Sequence, residues 1–149
     1  MSSPMSARTL HVAEPTAQFL VKPAVVVDAS VLCAVIFDEA ERQEAMQLLA
    51  GRQLWAPRLL DHEVINVAAK KQRRGLPGNV VERALINFLE HQIDMVNPAP
   101  IEQYALAARY GLSGYDAAYL WLAAAMRVPL LTFDRKLAVA AKAHLESLR

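Results

Sequence analysis

Short apolar runs alternate with amphipathic segments along most of this chain. Residues 24–27 form a run of alanine and valine, and residues 128–133 form a second, longer run. Central parallel strands are buried on both faces, so continuous apolar runs rich in β-branched residues predict such strands. Residues 54–56 and 94–96 are weaker strand candidates, each with a proline close behind. The pattern therefore predicts strands spread along the whole chain.

Segments with apolar residues at helical spacing lie between the predicted strands. Gly51, Gly75 and Gly111 follow three of these segments, as is typical of helix ends. Strands that alternate with helices indicate an α/β fold, and we expect a three-layer α/β/α sandwich with a mostly parallel central sheet. The predicted helices cover residues 29–36, 39–49, 59–73, 79–90, 101–110, 113–126 and 135–148.

Residues 1–22 do not share this pattern and contain several serines and prolines. We expect them to form an N-terminal leader that is at most partly ordered against the body. Residues 23–149 are predicted to form one domain, because roughly 100–200 residues per domain is typical. Hydrophobic residues make up 54% of the chain, which is enough for a substantial core.

Charge and cysteine content narrow the possible functions. The formal net charge is +1, so any affinity for nucleic acid must come from local patches. The single cysteine, Cys33, excludes an internal disulfide and fits a reducing compartment. No apolar stretch reaches the roughly 18 residues of a membrane-spanning helix, and the N-terminus lacks the apolar stretch of a secretory signal. We expect a cytoplasmic protein without membrane association.

Four acidic residues stand where the predicted fold makes acids unusual. Asp28 and Asp134 follow the two apolar runs, Glu63 lies in the first turns of a predicted helix, and Asp116 lies near the start of another. The carboxyl ends of parallel strands meet at one edge of a sheet, so we expect the four carboxylates to converge there. Such a cluster needs neutralising, and a hard divalent cation is suited to that role.

Helix capping is an alternative explanation for three of these acids. Asp28 and Asp134 each precede a predicted helix, where an N-cap contributes ~1 kcal/mol. Asp116 comes three residues after Ser113, which fits a capping box. Taken one residue at a time, capping and metal binding remain open.

Neutral oxygen-bearing side chains accompany two of the acids, and capping does not explain them. Ser30 comes two residues after Asp28, and Asn66 shares a helix face with Glu63 at the i, i+3 spacing. Carboxylate, hydroxyl and amide oxygens together suit a Mg²⁺ or Mn²⁺ site. Helical periodicity alone does not separate Glu63 from the nearby Asp61, and Glu63 alone also fits an interaction with the helix dipole.

The order of these motifs resembles that of the PIN-domain ribonucleases, and most closely the VapC-type toxins of prokaryotic toxin–antitoxin pairs. The matching blocks are residues 26–30, 56–66, 112–117 and 131–137, each with its acid. The resemblance selects Glu63 over Asp61, because the family's acid stands three residues before the asparagine. Phe133 departs from the family, which more usually has a small residue there, and the leader is longer than is typical.

The resemblance implies metal-dependent endonucleolytic cleavage of RNA, with Mg²⁺ or Mn²⁺ as the cofactor. The implied catalytic residues are Asp28, Glu63, Asp116 and Asp134, of which Asp28, Asp116 and Asp134 are the implied metal ligands. Ser30, Asn66 and Thr132 take supporting positions beside them.

Basic residues near two of the acids are candidates for RNA contacts, because an acidic site alone repels RNA. Arg135 and Lys136 adjoin Asp134, and the run Lys70, Lys71, Arg73 and Arg74 ends the predicted helix of Glu63. A solvated helix C-terminus favoured by the helix dipole explains that run equally well.

The resemblance also implies partners: an RNA substrate, a cognate antitoxin that covers the active groove, and a second copy in a homodimer. The competing hypothesis is a catalytically silent PIN domain that acts as an RNA-binding or assembly module.

Overall fold

A five-stranded sheet with helices on both faces forms the body of the protein, in a computed structural model that describes residues 7–13 and 24–148. The strand order is β1-β5-β2-β3-β4, with β2 to β5 parallel and β1 antiparallel to β5. This arrangement confirms the predicted fold class. The strands are β1 (His11–Ala13), β2 (Ala24–Val27), β3 (Gln53–Pro57), β4 (Ile93–Val96) and β5 (Leu130–Thr132).

Seven helices in the described residues form the two outer layers. Helices α1 to α4 form one group, in which α1 contacts the other three and α3 contacts α4. Helix α6 packs on β2 and β3, and helix α7 packs on β1 and β5. None of the described helices is long and apolar enough to cross a membrane. The helices are α1 (Ala29–Ile36), α2 (Arg42–Leu49), α3 (Leu60–Arg73), α4 (Gly78–Glu90), α5 (Pro100–Tyr110), α6 (Gly114–Met126) and α7 (Arg135–Glu146).

Strand β1 comes from within the predicted leader. His11 pairs with Thr132 and Ala13 with Leu130, so the segment lies against the edge of β5. Three residues carry too little alternation to predict a strand from sequence, and the pairing partner supplies the missing information. The leader residues 1–6 and 14–22 lie outside the described residues, and the domain boundary at residue 23 stays a prediction.

The two predicted central strands are the most deeply buried part of the sheet. The side chains of β2 and β5 that face the core are at most 1% exposed, which explains their continuous apolar sequence. The first buried polar side chains appear where these strands end, at Thr132 and Asp28. Because buried polar groups need partners, these side chains mark this edge as the place to look for a functional site.

The predicted helix at residues 39–49 begins later, at Arg42. Glu39 and Glu41 precede it in a turn, where both carboxylates accept hydrogen bonds from Arg8. This long-range contact explains why the amphipathic pattern and the observed start of α2 differ.

Candidate active site

A pocket of about 490 Å³ lies at the carboxyl edge of the sheet. Asp28 directly follows β2, Asp134 follows the neighbouring β5, and β3 lies on the other side of β2. Ligands of open α/β sheets bind at such a position, where consecutive connections diverge. The structure brings all four predicted acids together here, and we call the site the acidic pocket. Its acids from the sequence analysis are Asp28, Glu63, Asp116 and Asp134.

Asp28 is held by two hydroxyl groups. Its side chain is buried, and its Oδ2 accepts hydrogen bonds from Ser30 Oγ at 2.7 Å and Thr132 Oγ1 at 2.8 Å. Asp28 occupies the N-cap position of α1 but makes no side-chain capping hydrogen bond. Burial raises the pKa of this carboxyl group, more than the two hydroxyl groups lower it. Capping therefore does not explain this acid.

Backbone groups at the end of β5 orient the two hydroxyls. Ser30 Oγ accepts a hydrogen bond from the Phe133 N–H at 3.0 Å, and Thr132 Oγ1 accepts one from the Asp134 N–H at 2.9 Å. Because a hydroxyl that accepts from the backbone can still donate its own proton, each hydroxyl points that proton at Asp28. The predicted supporting roles of Ser30 and Thr132 thus correspond to direct contacts with the Asp28 carboxylate.

Glu63 lies in the first turn of α3 and accepts a hydrogen bond from the Tyr119 hydroxyl at 2.8 Å. Burial, together with the charges of Asp28 and Asp116, raises the pKa of Glu63 to about 7. Tyr119 is fully buried, and the sequence analysis did not identify it. The sequence does contain a signal for Tyr119, which lies one helical turn after Asp116 and so shares its helix face. A buried tyrosine hydroxyl usually has a hydrogen-bond partner, which makes such a residue a candidate for the site.

Asp116 and Asp134 both begin helices, but they differ in what their side chains do. The cap of α6 is Ser113, whose Oγ accepts the Asp116 N–H at 3.1 Å, so the Asp116 carboxylate is left for the acidic pocket. Burial and the charges of Asp134 and Asp28 raise the pKa of Asp116 to about 6. Asp134 caps α7 through Oδ1, which accepts the Leu137 N–H at 3.0 Å, and it also lines the pocket.

The donor chemistry of the acidic pocket fits a hard divalent cation. Carboxylate, hydroxyl and amide oxygens are available together, and Asn66 supplies the amide. Burial and mutual repulsion raise the pKa of three of the acids, a cost that a bound cation offsets. Within residues 7–13 and 24–148, however, no three His, Cys, Asp or Glu side chains are arranged to hold a metal ion. The four acids share a pocket without being arranged around a common point.

The predicted basic residues fall into different environments. Lys70 lines the acidic pocket, whereas Lys71 lies 3.4 Å from a Glu39 oxygen and 5.1 Å above the Phe37 ring. Arg73 and Arg74 are exposed at the end of α3 and do not line the pocket. The α3 run is therefore divided: one lysine reaches the site, one is engaged in a salt bridge, and two face solvent.

Arg135 and Lys136 line a separate groove along α7, which Tyr110 also lines. Lys136 is close enough to the acidic pocket to lower the pKa of Asp116 electrostatically. The two cations thus flank the pocket without lining it.

Arg8 is the pocket residue that the sequence analysis missed most completely. Its backbone N–H and its Nε donate to Glu41 Oε1 at 2.6 Å and 2.9 Å, and its Nη2 pairs with Glu39. The arginine lowers the pKa of the buried Glu41 to about 2. No local pattern links the predicted leader to Glu41, although a glutamate on the buried side of a helix start does indicate a distant cation.

Comparison with known proteins agrees with the geometry. The family model of the PIN domain matches residues 25–143. Ribonuclease VapC3 of Pyrobaculum aerophilum is 33% identical over 119 residues, which cover 76% of this chain and 91% of that protein. Ribonuclease VapC9 of Mycobacterium tuberculosis is 30% identical over 116 residues, covering 76% of this chain and 87% of that protein.

A solved structure shows the same fold. The crystal structure of PAE2754 from Pyrobaculum aerophilum superposes with a TM-score of 0.59 at 22% sequence identity, covering 85% of this chain and 96% of that one. The fold, the extent of the PIN match and the VapC relatives agree with the four blocks found in the sequence. This chain therefore belongs to the PIN-domain family and, within it, to the VapC-type proteins.

Proposed function

We propose that this protein is a Mg²⁺- or Mn²⁺-dependent endoribonuclease that hydrolyses RNA phosphodiester bonds at the acidic pocket, as the toxin of a toxin–antitoxin pair. The observation that carries the proposal is the convergence of four carboxylates from separate blocks on one pocket at the sheet edge. The relatives named as ribonucleases support the choice of RNA.

Asp28, Asp116 and Asp134 are the proposed metal ligands. They share the acidic pocket, where the charge of Asp134 raises the pKa of both Asp28 and Asp116. When bound, a divalent ion supplies a Lewis acid for phosphate oxygens and makes water more acidic. The Asp28 carboxylate is the most firmly positioned of the three, because two oriented hydroxyls hold its Oδ2.

Glu63 is the proposed proton acceptor for the attacking water. Its pKa of about 7 lies near neutrality, where a general base is most effective. The Tyr119 hydroxyl occupies Oε1 and orients the carboxylate, so Oε2 is the atom that we assign to the proton. The charges of Asp28 and Asp116 contribute to this raised pKa of Glu63.

Basic residues around the pocket are the proposed RNA contacts. Lys70 is placed to meet a phosphate at the pocket itself, and the other cations named in the sequence analysis would hold the flanking strand. Such contacts offset the repulsion between RNA and the carboxylates. They are Lys71, Arg73 and Arg74 on the α3 side and Arg135 and Lys136 along α7.

The toxin proposal carries three further proposals that rest on the family resemblance. A cognate antitoxin silences the enzyme by covering the pocket, the protein forms a homodimer, and it acts in the cytoplasm. A basic antitoxin side chain entering the acidic pocket would be a physically sensible inhibitor, because it neutralises the clustered carboxylates.

A catalytically silent PIN domain that binds RNA or assembles with partners is the second candidate. The observation in its favour is that cations lie at and beside the pocket, because such contacts bind RNA without any catalytic step. It predicts RNA binding without cleavage at any concentration of Mg²⁺ or Mn²⁺.

Cleavage of single-stranded RNA by the purified protein tests the proposal. The wild type should cut with Mg²⁺ or Mn²⁺ and stop with a chelator, Asp28→Asn should be inactive, and the matched control Asp61→Asn should be active. Asp61 belongs to the same helix as Glu63 but does not line the pocket. Normal cleavage by Asp28→Asn contradicts the assignment of the site, and binding without cleavage by the wild type supports the silent module.

A further inference from the structure

Arg8 reaches the acidic pocket from outside the part of the chain that matches the PIN domain. The family match begins at residue 25, whereas Arg8 precedes β1, which is paired antiparallel with β5. Arg8 lines the same pocket as Asp28 and Asp134. The segment that carries Arg8 thus pairs with β5 through β1 and reaches the acidic pocket through the Arg8 side chain.

The position of the Arg8 side chain is strongly determined. Glu41, whose side chain is 4% exposed, accepts from both the backbone N–H and Nε, Glu39 accepts from Nη2, and the guanidinium carbon lies 5.1 Å above the centre of the Phe133 ring. An arginine held by its fork and stacked on a ring loses little further freedom when it binds a ligand. Arg8 is therefore preorganised at the pocket.

Part of the guanidinium is exposed. The Arg8 side chain is 44% exposed, and its Nη1 group makes no hydrogen bond to any other described residue. Lys71 also neutralises Glu39, so the two glutamates face two cations, and the excess of negative charge lies among the pocket acids. Directed N–H donors on a fixed arginine are suited to phosphate oxygens.

We propose that Arg8 contacts a phosphate of the RNA bound at the acidic pocket and so contributes to holding it there. This inference rests on the ribonuclease function proposed above. A segment outside the matched domain thereby supplies a substrate-binding residue, and Glu39, Glu41 and Phe133 hold its side chain in place. A purely structural Arg8, which only pairs with the buried Glu41, is the alternative that the experiment must exclude.

The test measures RNA binding in a cleavage-silent Asp28→Asn background. A short, fluorescein-labelled single-stranded RNA of random sequence is titrated by fluorescence anisotropy over a series of salt concentrations. Each phosphate neutralised by the protein contributes about 0.7 to the slope of log K against log salt for single strands. Arg8→Gln should weaken binding and reduce that slope by about 0.7.

Two further variants separate a contact from a structural or net-charge effect. The double variant Arg8→Gln/Glu41→Gln has the same net charge as its parent. It also removes the buried charge of Glu41, which Arg8→Gln alone would leave unpaired. The test therefore remains valid if Arg8→Gln alone unfolds. The double variant should show the same loss of slope. Arg52→Gln removes a cation that precedes β3, at the opposite edge of the sheet, and should retain the slope of the Asp28→Asn parent.

The outcomes distinguish this inference from the function on which it rests. An unchanged slope in the Arg8→Gln/Glu41→Gln variant, or an equal loss in Arg52→Gln, overturns the role of Arg8 while the ribonuclease proposal stands. If the wild type neither cleaves nor binds single-stranded RNA, the proposed function fails and the role of Arg8 fails with it. A loss of slope limited to the Arg8 variants supports the contact.

Discussion

Asp28 and Glu41 are equally buried, at 5% exposure each, yet their surroundings drive their pKa values in opposite directions. Arg8 holds the pKa of Glu41 down to about 2, whereas burial raises the pKa of Asp28, which has only hydroxyl partners from other side chains. A paired carboxylate stabilises the fold in its ionised form. A buried carboxylate without a nearby cation is costly when ionised, and a bound cation would offset that cost. We propose that the contrast separates a structural acid, Glu41, from a functional one, Asp28.

Asp28→Asn should produce the largest effect of any single change, and the effect should be on activity alone. Metal-assisted charge stabilisation is worth several kcal/mol, so we expect cleavage to fall roughly a thousandfold. The free energy of unfolding should be unchanged or higher, because the buried charge is removed and the amide oxygen can still accept from Ser30 and Thr132. Single-turnover cleavage and urea unfolding measure the two quantities.

An Asp28→Asn protein that is markedly destabilised would contradict the functional assignment. It would place Asp28 in the same class as Glu41, as an acid that the fold requires. Asp94→Asn is a suitable control, because Asp94 is an exposed acid on β4.

Glu41→Gln should show the opposite pattern, with a loss of stability and retained cleavage at saturating RNA. Hydrogen bonds to charged groups contribute about 1.5–3 kcal/mol, so we expect a loss of that order in the free energy of unfolding. In this variant Glu39 can still pair with both Arg8 and Lys71, so part of the network of ion pairs survives. Urea unfolding and the maximal cleavage rate are the measurements.

Glu44→Gln on α2 is the matched control for Glu41→Gln, because Glu44 is exposed. If Glu41→Gln abolishes cleavage at saturating RNA while the protein stays folded, Glu41 belongs to the catalytic machinery and the contrast with Asp28 is lost.

The stability of the metal-free protein should be highest at about pH 4 and decline on both sides. The pKa of Glu41 falls from 4.5 to about 2 on folding, so the unfolded chain takes up that proton first and stability falls as the pH drops from about 4 toward 2. The pKa of Glu63 rises from 4.5 to about 7 and that of Asp116 from 3.8 to about 6. The folded protein keeps these protons to a higher pH than the unfolded chain does, so stability also falls as the pH rises toward 7.

Urea unfolding in a chelating buffer across this pH range measures the curve. Added Mg²⁺ should flatten the decline above about pH 4, because a cation bound to the folded protein favours ionised carboxylates. Glu41→Gln should remove the decline below about pH 4. A metal-free protein whose stability is constant between pH 4.5 and 7 would contradict the electrostatic account of the pocket.

Tyr119→Phe should have the smallest effect of these changes. It removes one hydrogen bond, which is worth about 0.5–1.5 kcal/mol of stability, and leaves the buried ring in place. The Tyr119 hydroxyl lowers the pKa of Glu63, so its loss should raise that pKa and move the lower limb of the pH–rate profile of cleavage to higher pH. Tyr104→Phe, at an exposed position on α5, is the control. An unshifted profile would argue against Glu63 as the proton acceptor.

Local pattern predicted the elements well, because their determinants are local. The apolar runs at β2 and β5 reflect burial on both faces, and the glycine after α5 adopts the left-handed conformation expected at a helix end. Ser113 caps α6 as the capping-box spacing suggested. The failures occurred where a distant partner decides: β1 exists only against β5, and α2 starts late where Arg8 binds the preceding turn.

The sequence by itself determined the fold class, the family and the four acids, since each follows from periodicity or from short blocks of neighbouring residues. Tertiary structure alone decided which acids are paired and which are left to the pocket. The deciding contacts join residues far apart in the chain: Arg8 to Glu41 across 33 positions, Glu63 to Tyr119 across 56, and Asp28 to Thr132 across 104. No local pattern records such contacts, because they exist only once the sheet has brought its strand ends together.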